Sequence, residues 1–85
     1  MMAYGLVIAE AVSLELGELD PVRHDLIVLE ILGLQAAPME CGDVLEVDGS
    51  VCRRMLGLGD IAVIFYNVDA EAKTVTVVDL VARRG

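Results

Sequence analysis

At Gly42 the spacing of the apolar residues changes, and it does not change back. Upstream they recur every three to four residues, as on a helix face; downstream they alternate, as on a strand face. Helices therefore gather in the first half and strands in the second. Two helices must then cover one face of a mostly antiparallel sheet, an α+β layer arrangement.

The first half opens on a short apolar strand, Tyr4 to Ile8. From Ala9 the period is helical: Val12, Leu16 and Leu19 recur at i, i+4, i+7, with Glu10, Glu15 and Glu18 between them. That helix ends near Gly17 to Leu19. Asp20-Pro21 restarts the chain, because Asp accepts hydrogen bonds as an N-cap and Pro fits the first helical turn. The second helix runs roughly from Pro21 to Leu32. Val22, Leu26 and Leu29 form one apolar stripe on it, and Ile27, Ile31 and Leu34 form another. Val28 and Leu32 fill much of the rest, so the helix is apolar nearly all round and calls for burial on more than one side. The extra face meets either a partner subunit or, in the alternative, the first helix and the sheet in a wider contact. Gly33 and Pro38 end the helical half.

Four strands follow. Val44 to Val47 is the first, and Asp48-Gly49 turns it into Val51 to Leu58. Gly59-Asp60 leads to Ile61 to Val68, and a turn over Asp69 to Lys73 leads to Thr74 to Val81. The expected fold is α+β, in the order β-α-α-β-β-β-β. A two-helix hairpin packs on a mostly antiparallel sheet of four to five strands. No repeat, linker or low-complexity tract interrupts it, so residues 1–85 are expected to form a single domain.

Composition narrows the classes. Apolar residues make up 56 % of the chain, which excludes a disordered one, and two cysteines, Cys41 and Cys52, are too few for a disulfide scaffold. The net charge is −8, but it is uneven. Residues 1–48 carry −9 and residues 49–85 carry +1. Nonspecific binding to phosphate backbones is therefore disfavoured, and any anion-binding surface must come from the second half. No Lys or Arg precedes the N-terminal apolar stretch, and the most apolar run, Leu26 to Leu34, contains Glu30 and is too short to span a bilayer. A cytoplasmic protein with reduced thiols and no membrane partner is expected.

Chemistry is sparse. Arg53-Arg54 and Arg83-Arg84 are the basic pairs. Consecutive strand residues face opposite ways, so each pair offers one guanidinium to a given face. They form either a two-Arg anion site across strands or solvated strand ends bridged to the acidic helices. His24 reads as a surface residue, Cys52 as core, and Tyr66 as ordinary packing or a hydroxyl near the arginines. The cysteines lack zinc-ligand spacing, and Gly57-Leu-Gly59 is not followed by a helix as a phosphate loop would be. No cofactor and no metal site is expected.

The run Arg53-Arg-Met-Leu-Gly-Leu-Gly-Asp-Ile-Ala-Val-Ile-Phe-Tyr-Asn-Val-Asp69, followed by Thr74-Val-Thr-Val77 and the Arg83-Arg84 end, resembles the C-terminal half of the RelE/ParE toxin superfamily. The typical run there is Arg-x-Gly-Asp-Tyr-Arg-Val-(Ile/Leu)-Tyr, an acidic turn, Thr-Val-x-Val and a basic end. The strand, helix hairpin and Pro38 of the first half agree with it, so the resemblance spans nearly the whole chain. It implies a component of a type II toxin–antitoxin pair whose partner is an antitoxin-like peptide. RelE-like members cleave mRNA on the ribosome without a metal, and ParE-like members act on DNA gyrase.

The departures are as informative. Gly57 and Ala62 stand where the resemblance has Arg, Met55 takes a further basic position, and Val81-Ala82 replaces His or Gly-Lys. Gly85 leaves the C-terminal Tyr or His without a counterpart. Arg53 and Arg83 match basic residues of the RNase members and are the candidate catalytic residues. Metal-free RNA cleavage needs a base, stabilisation of phosphate charge and an acid, and two arginines supply only the middle requirement. The expectation is a toxin-like component with weak or no mRNA-cleaving activity, for which ribosome and mRNA are disfavoured by charge. The alternatives are a non-catalytic binding or homodimeric module that reuses the fold, and a ParE-like gyrase inhibitor.

Overall fold

The computed structural model describes residues 4–83. The elements are β1 (Gly5–Ile8), α1 (Glu10–Gly17), α2 (Pro21–Leu34), β2 (Asp43–Asp48), β3 (Val51–Leu58), β4 (Ala62–Asp69) and β5 (Thr74–Ala82). They form one five-stranded sheet in the order β1-β5-β4-β3-β2. β1 runs parallel to β5, and the other three pairings are antiparallel. The α+β class and the element order are those expected.

The helix restart is built as its residues dictate. The Asp20 carboxylate accepts from Arg23 N–H at 3.2 Å, and Pro21 opens α2. α2 does not stop at Leu32. It continues through Gly33 to Leu34, because Leu34 extends the stripe of Ile27 and Ile31, and all three are buried. Burying a Leu contributes about 1.5–3 kcal/mol, more than the roughly 1 kcal/mol that a helical Gly costs.

The first hairpin turn lies one residue later than Asp48-Gly49. Asp48 pairs with Val51, so Gly49 and Ser50 form the two-residue loop, with Gly49 at φ +60°. β5 also carries a bulge. Tyr66 pairs with Val77 and Phe65 with Asp79, which leaves Val78 as the extra residue. This shift places Leu80 in the core and Asp79 in solvent.

Val12 and Leu16 of α1 and Ile27, Ile31 and Leu34 of α2 pack on Ala62, Ile64, Tyr66 and Val68 of β4 and on Val75, Val77 and Leu80 of β5. The helices thus cover one face of the sheet. The opposite face carries Arg53, Met55, Phe65, Asn67, Thr76, Asp79 and Val81 by register, with no helix over it among the described residues. Among the described residues no helix is long and apolar enough to cross a membrane.

Candidate functional site

The uncovered sheet face is where an anion site would have to form. Arg53 stands there beside Asn67, and its Nη1 contacts the Glu46 carboxylate of β2 at 3.3 Å. The bridge expected to an acidic helix is thus made to a neighbouring strand. Arg83 follows β5, and its N–H donates to Ile61 O at 2.8 Å. Ile61 immediately precedes β4 and lies six residues from Asn67, which is about 20 Å at about 3.3 Å per residue. The two arginines therefore do not converge on one phosphate. Register places Asp43, Glu46, Asp48, Asp69 and Asp79 on the same face as Arg53. Its field repels a polyanion.

Arg54 points the other way, as strand alternation requires, and it is neither solvated nor bridged to a helix. It is only 6 % exposed. Its Nη2 donates to Cys41 O at 2.9 Å and Gly42 O at 3.3 Å, and its Nε donates to Tyr66 Oη at 3.3 Å. Its Nη1 lies 3.8 Å from Cys52 Sγ. The fully buried Tyr66 donates to Cys41 O at 2.6 Å, with Pro38 O at 3.3 Å as a longer second acceptor. Burial opposes the charge on Arg54, but its bonds to Tyr66 and Cys52 outweigh that, and its pKa lies above the ordinary value. Burial raises the Tyr66 pKa, against the pull of Arg54. The cluster clamps the loop over residues 38–42 to the sheet, so Arg54 is structural. The sequence signal for it is the strand face that Arg54 shares with Cys52, a core residue.

The remaining candidates sit as their residue types imply. Cys52 is buried, and His24 is exposed with Nδ1 3.2 Å from Asp25. An open pocket lined by Tyr4, Ala36, Ala37, Pro38, Met39 and Glu40 is mostly apolar, with the Tyr4 phenol and the Glu40 carboxylate as its titratable groups.

α2 shows its second stripe to solvent. Val22 and Leu29 are 68 % and 66 % exposed, and Leu26 and Leu32 accompany them. The two stripes read in the sequence are thus one buried and one bare.

Solved structures with this architecture include three toxin or toxin–antitoxin chains. A chain of the archaeal RelE–RelB complex from Pyrococcus horikoshii OT3 superposes with a TM-score of 0.84 at 22 % identity, over 96 % of this chain and 97 % of that one. A chain of the RelBE2 toxin–antitoxin complex from Mycobacterium tuberculosis gives 0.76 at 20 % identity, over 98 % and 94 %. The isolated E. coli RelE toxin gives 0.74 at 17 % identity, over 98 % and 87 %. The chain has the RelE/ParE-like toxin fold. No family model matches the sequence, and no curated protein matches it.

In this RelE-like domain the departures from the basic pattern are of two kinds. Gly57 is exposed, and a Cβ there would meet nothing within 4 Å, so a side chain has room. Ala62 is fully buried in the core, where an Arg would force charge and volume among Leu58, Ile64 and Leu80. Met55 is half-buried beside Phe65. Position 62 is thus a packing position of this fold.

Proposed function

We propose that this RelE-like domain is the toxin-like member of a toxin–antitoxin pair, that it binds a partner chain, and that it has little or no mRNA-cleaving activity. The observation that carries the loss of chemistry is the open sheet face. Arg53 there is matched by Glu46, Arg83 is about 20 Å away, and the surrounding charge is acidic. Two of the structures that share the fold are complexes with an antitoxin, and the bare stripe on α2 is apolar surface that a bound chain can cover.

The test is induced expression in a bacterial host, beside ribosome-dependent cleavage of a reporter mRNA by the purified protein. The expected result is no cleavage and no growth arrest that Arg53→Ala or Arg83→Ala relieves. The product of an adjacent antitoxin-like gene is expected to co-purify. Cleavage abolished by either substitution would overturn the inactive reading.

A second reading follows from the α2 stripe alone: a homodimer through Val22, Leu26 and Leu29. It predicts a concentration-dependent mass in light scattering, reduced to the monomer by Leu29→Glu.

A further inference from the structure

Edge strand β2 is guarded on one face and bare on the other. Register puts Asp43, Glu46 and Asp48 on the open sheet face. Val44 and Val47 pair with Arg54 and Cys52 on the helix side, and a bulge inserts Leu45 between Val44 and Glu46. Arg54 and Cys52 are buried, yet Val44, Leu45 and Val47 are 53 %, 53 % and 66 % exposed. The covering layer therefore ends at β3. β2 has β3 as its one neighbour in the sheet, so its outer edge presents unpaired backbone N–H and C=O groups.

Charges and a bulge are ordinary means of keeping an edge strand single. They do not account for three exposed apolar side chains among six residues. The charges do decide what can pair. A second copy joining antiparallel, about a two-fold axis normal to the sheet, keeps the same faces together. Carboxylate would then stand opposite carboxylate, which is destabilising. Among the described residues Arg53 is the cation that reaches β2, where it contacts Glu46 at 3.3 Å, which leaves Asp43 and Asp48 as the carboxylates for a partner to match first.

We propose that β2 is the docking edge for an extended segment of the partner chain in which Lys or Arg alternates with Val, Ile or Leu. The basic side chains lie opposite Asp43, Glu46 and Asp48 on the open face, and the apolar ones cover Val44 and Val47 on the other. Backbone hydrogen bonds supply affinity, and the alternation supplies specificity. Pairing is continuous along Glu46–Asp48 and is interrupted at the Leu45 bulge. The proposal rests on the reading that this domain binds a partner chain.

The test uses the full chain and three synthetic peptides of about eight residues, a usual strand length. One alternates Lys and Val, one has the same composition with all Lys at one end, and one alternates Glu and Val. Binding is titrated, and amide hydrogen exchange locates it. The Lys/Val peptide is expected to slow exchange in residues 43–48 and to leave α2 unchanged. The block and Glu/Val peptides are expected to bind about tenfold more weakly or worse, a difference of about 1.4 kcal/mol. The double variant Glu46→Lys/Asp48→Lys is expected to reverse the preference, so that binding of the Glu/Val peptide itself shows that the variant is folded. Equal binding of block and alternating peptides, protection on α2 instead of β2, or no binding of any peptide would overturn the proposal. If an adjacent gene's product still co-purifies in that case, the edge assignment falls and the partner-binding reading stands.

Discussion

Arg54 is held in the core by two carbonyl oxygens, a phenol and a thiol, none of them a carboxylate. Tyr66 and Arg54 share Cys41 O as an acceptor, so their contributions are coupled. Tyr66→Phe is expected to cost about 1–3 kcal/mol, since it strips partners from buried groups. Arg54→Met costs less than its lost bonds imply, because a buried charge leaves with them. The double variant should be less destabilised than the two singles predict together, and urea unfolding of the four proteins checks this. Asp69 is a second informative residue. Bonds from Ala72 N–H, the Ser50 hydroxyl and Glu71 N–H lower its pKa below 3.8, although partial desolvation opposes them. A lowered folded-state pKa means that the unfolded chain binds the proton more readily. Its stabilisation is present above the ordinary carboxylate range and lost as pH falls through and below it. Asp69→Asn should melt lower at neutral pH and show a shallower loss of melting temperature below about pH 4, the ordinary carboxylate range. The facing of Arg54 was legible in strand alternation. Its partners were not, because they depend on the path of residues 38–42 through Gly42 at φ +66°.

The two helices follow from period and the Asp20-Pro21 cap, whereas their ends depend on burial that no local pattern shows. α2 runs through Gly33 for that reason, and a Cβ at Gly33 meets nothing within 4 Å. Gly33→Ala is expected to stabilise the protein by about 0.5–1 kcal/mol. At Gly42 the same substitution would drive a Cβ into the Met55 carbonyl, besides adopting a left-handed backbone. A loss of about 2 kcal/mol or more is expected there, which thermal or urea melts would read. The strands were legible to within one or two residues. The bulges at Leu45 and Val78 were not, since each is set by which neighbour the core needs. Missing them hides that Asp79 lies in solvent and that β2 carries its acids on the open face and Val44 and Val47 on the other.

For the whole molecule, the charge reading and the topology agree. Among the described residues the bases of the second half do not collect, because Arg54 is buried, Lys73 sits over the Tyr4 ring at 5.4 Å, and Arg53 and Arg83 lie at opposite ends of the sheet; Arg84 lies outside the described residues. A single-stranded RNA should show no retardation at about 0.15 M salt, where the Debye length is about 8 Å, and Arg53→Ala should leave that unchanged. Salt-sensitive binding of RNA by the wild-type chain would contradict this account of the open face. The fold class was legible because the sheet and helices are written in periodicity. The site was not, because its decisive property is the separation of two arginines, which only strand register measures.

The parallel pairing of β1 with β5 also has a consequence in time. Gly5 lies against Thr74, and β5 is the one sheet neighbour that β1 has. A ribosome adding about 5–20 residues per second makes β1, α1 and α2 first and their anchoring strand last. Until β5 emerges, Val12, Leu16, Ile27 and Ile31 have no finished sheet to cover them. The nascent domain therefore waits with its greasiest helix bare until β5 emerges to close the sheet.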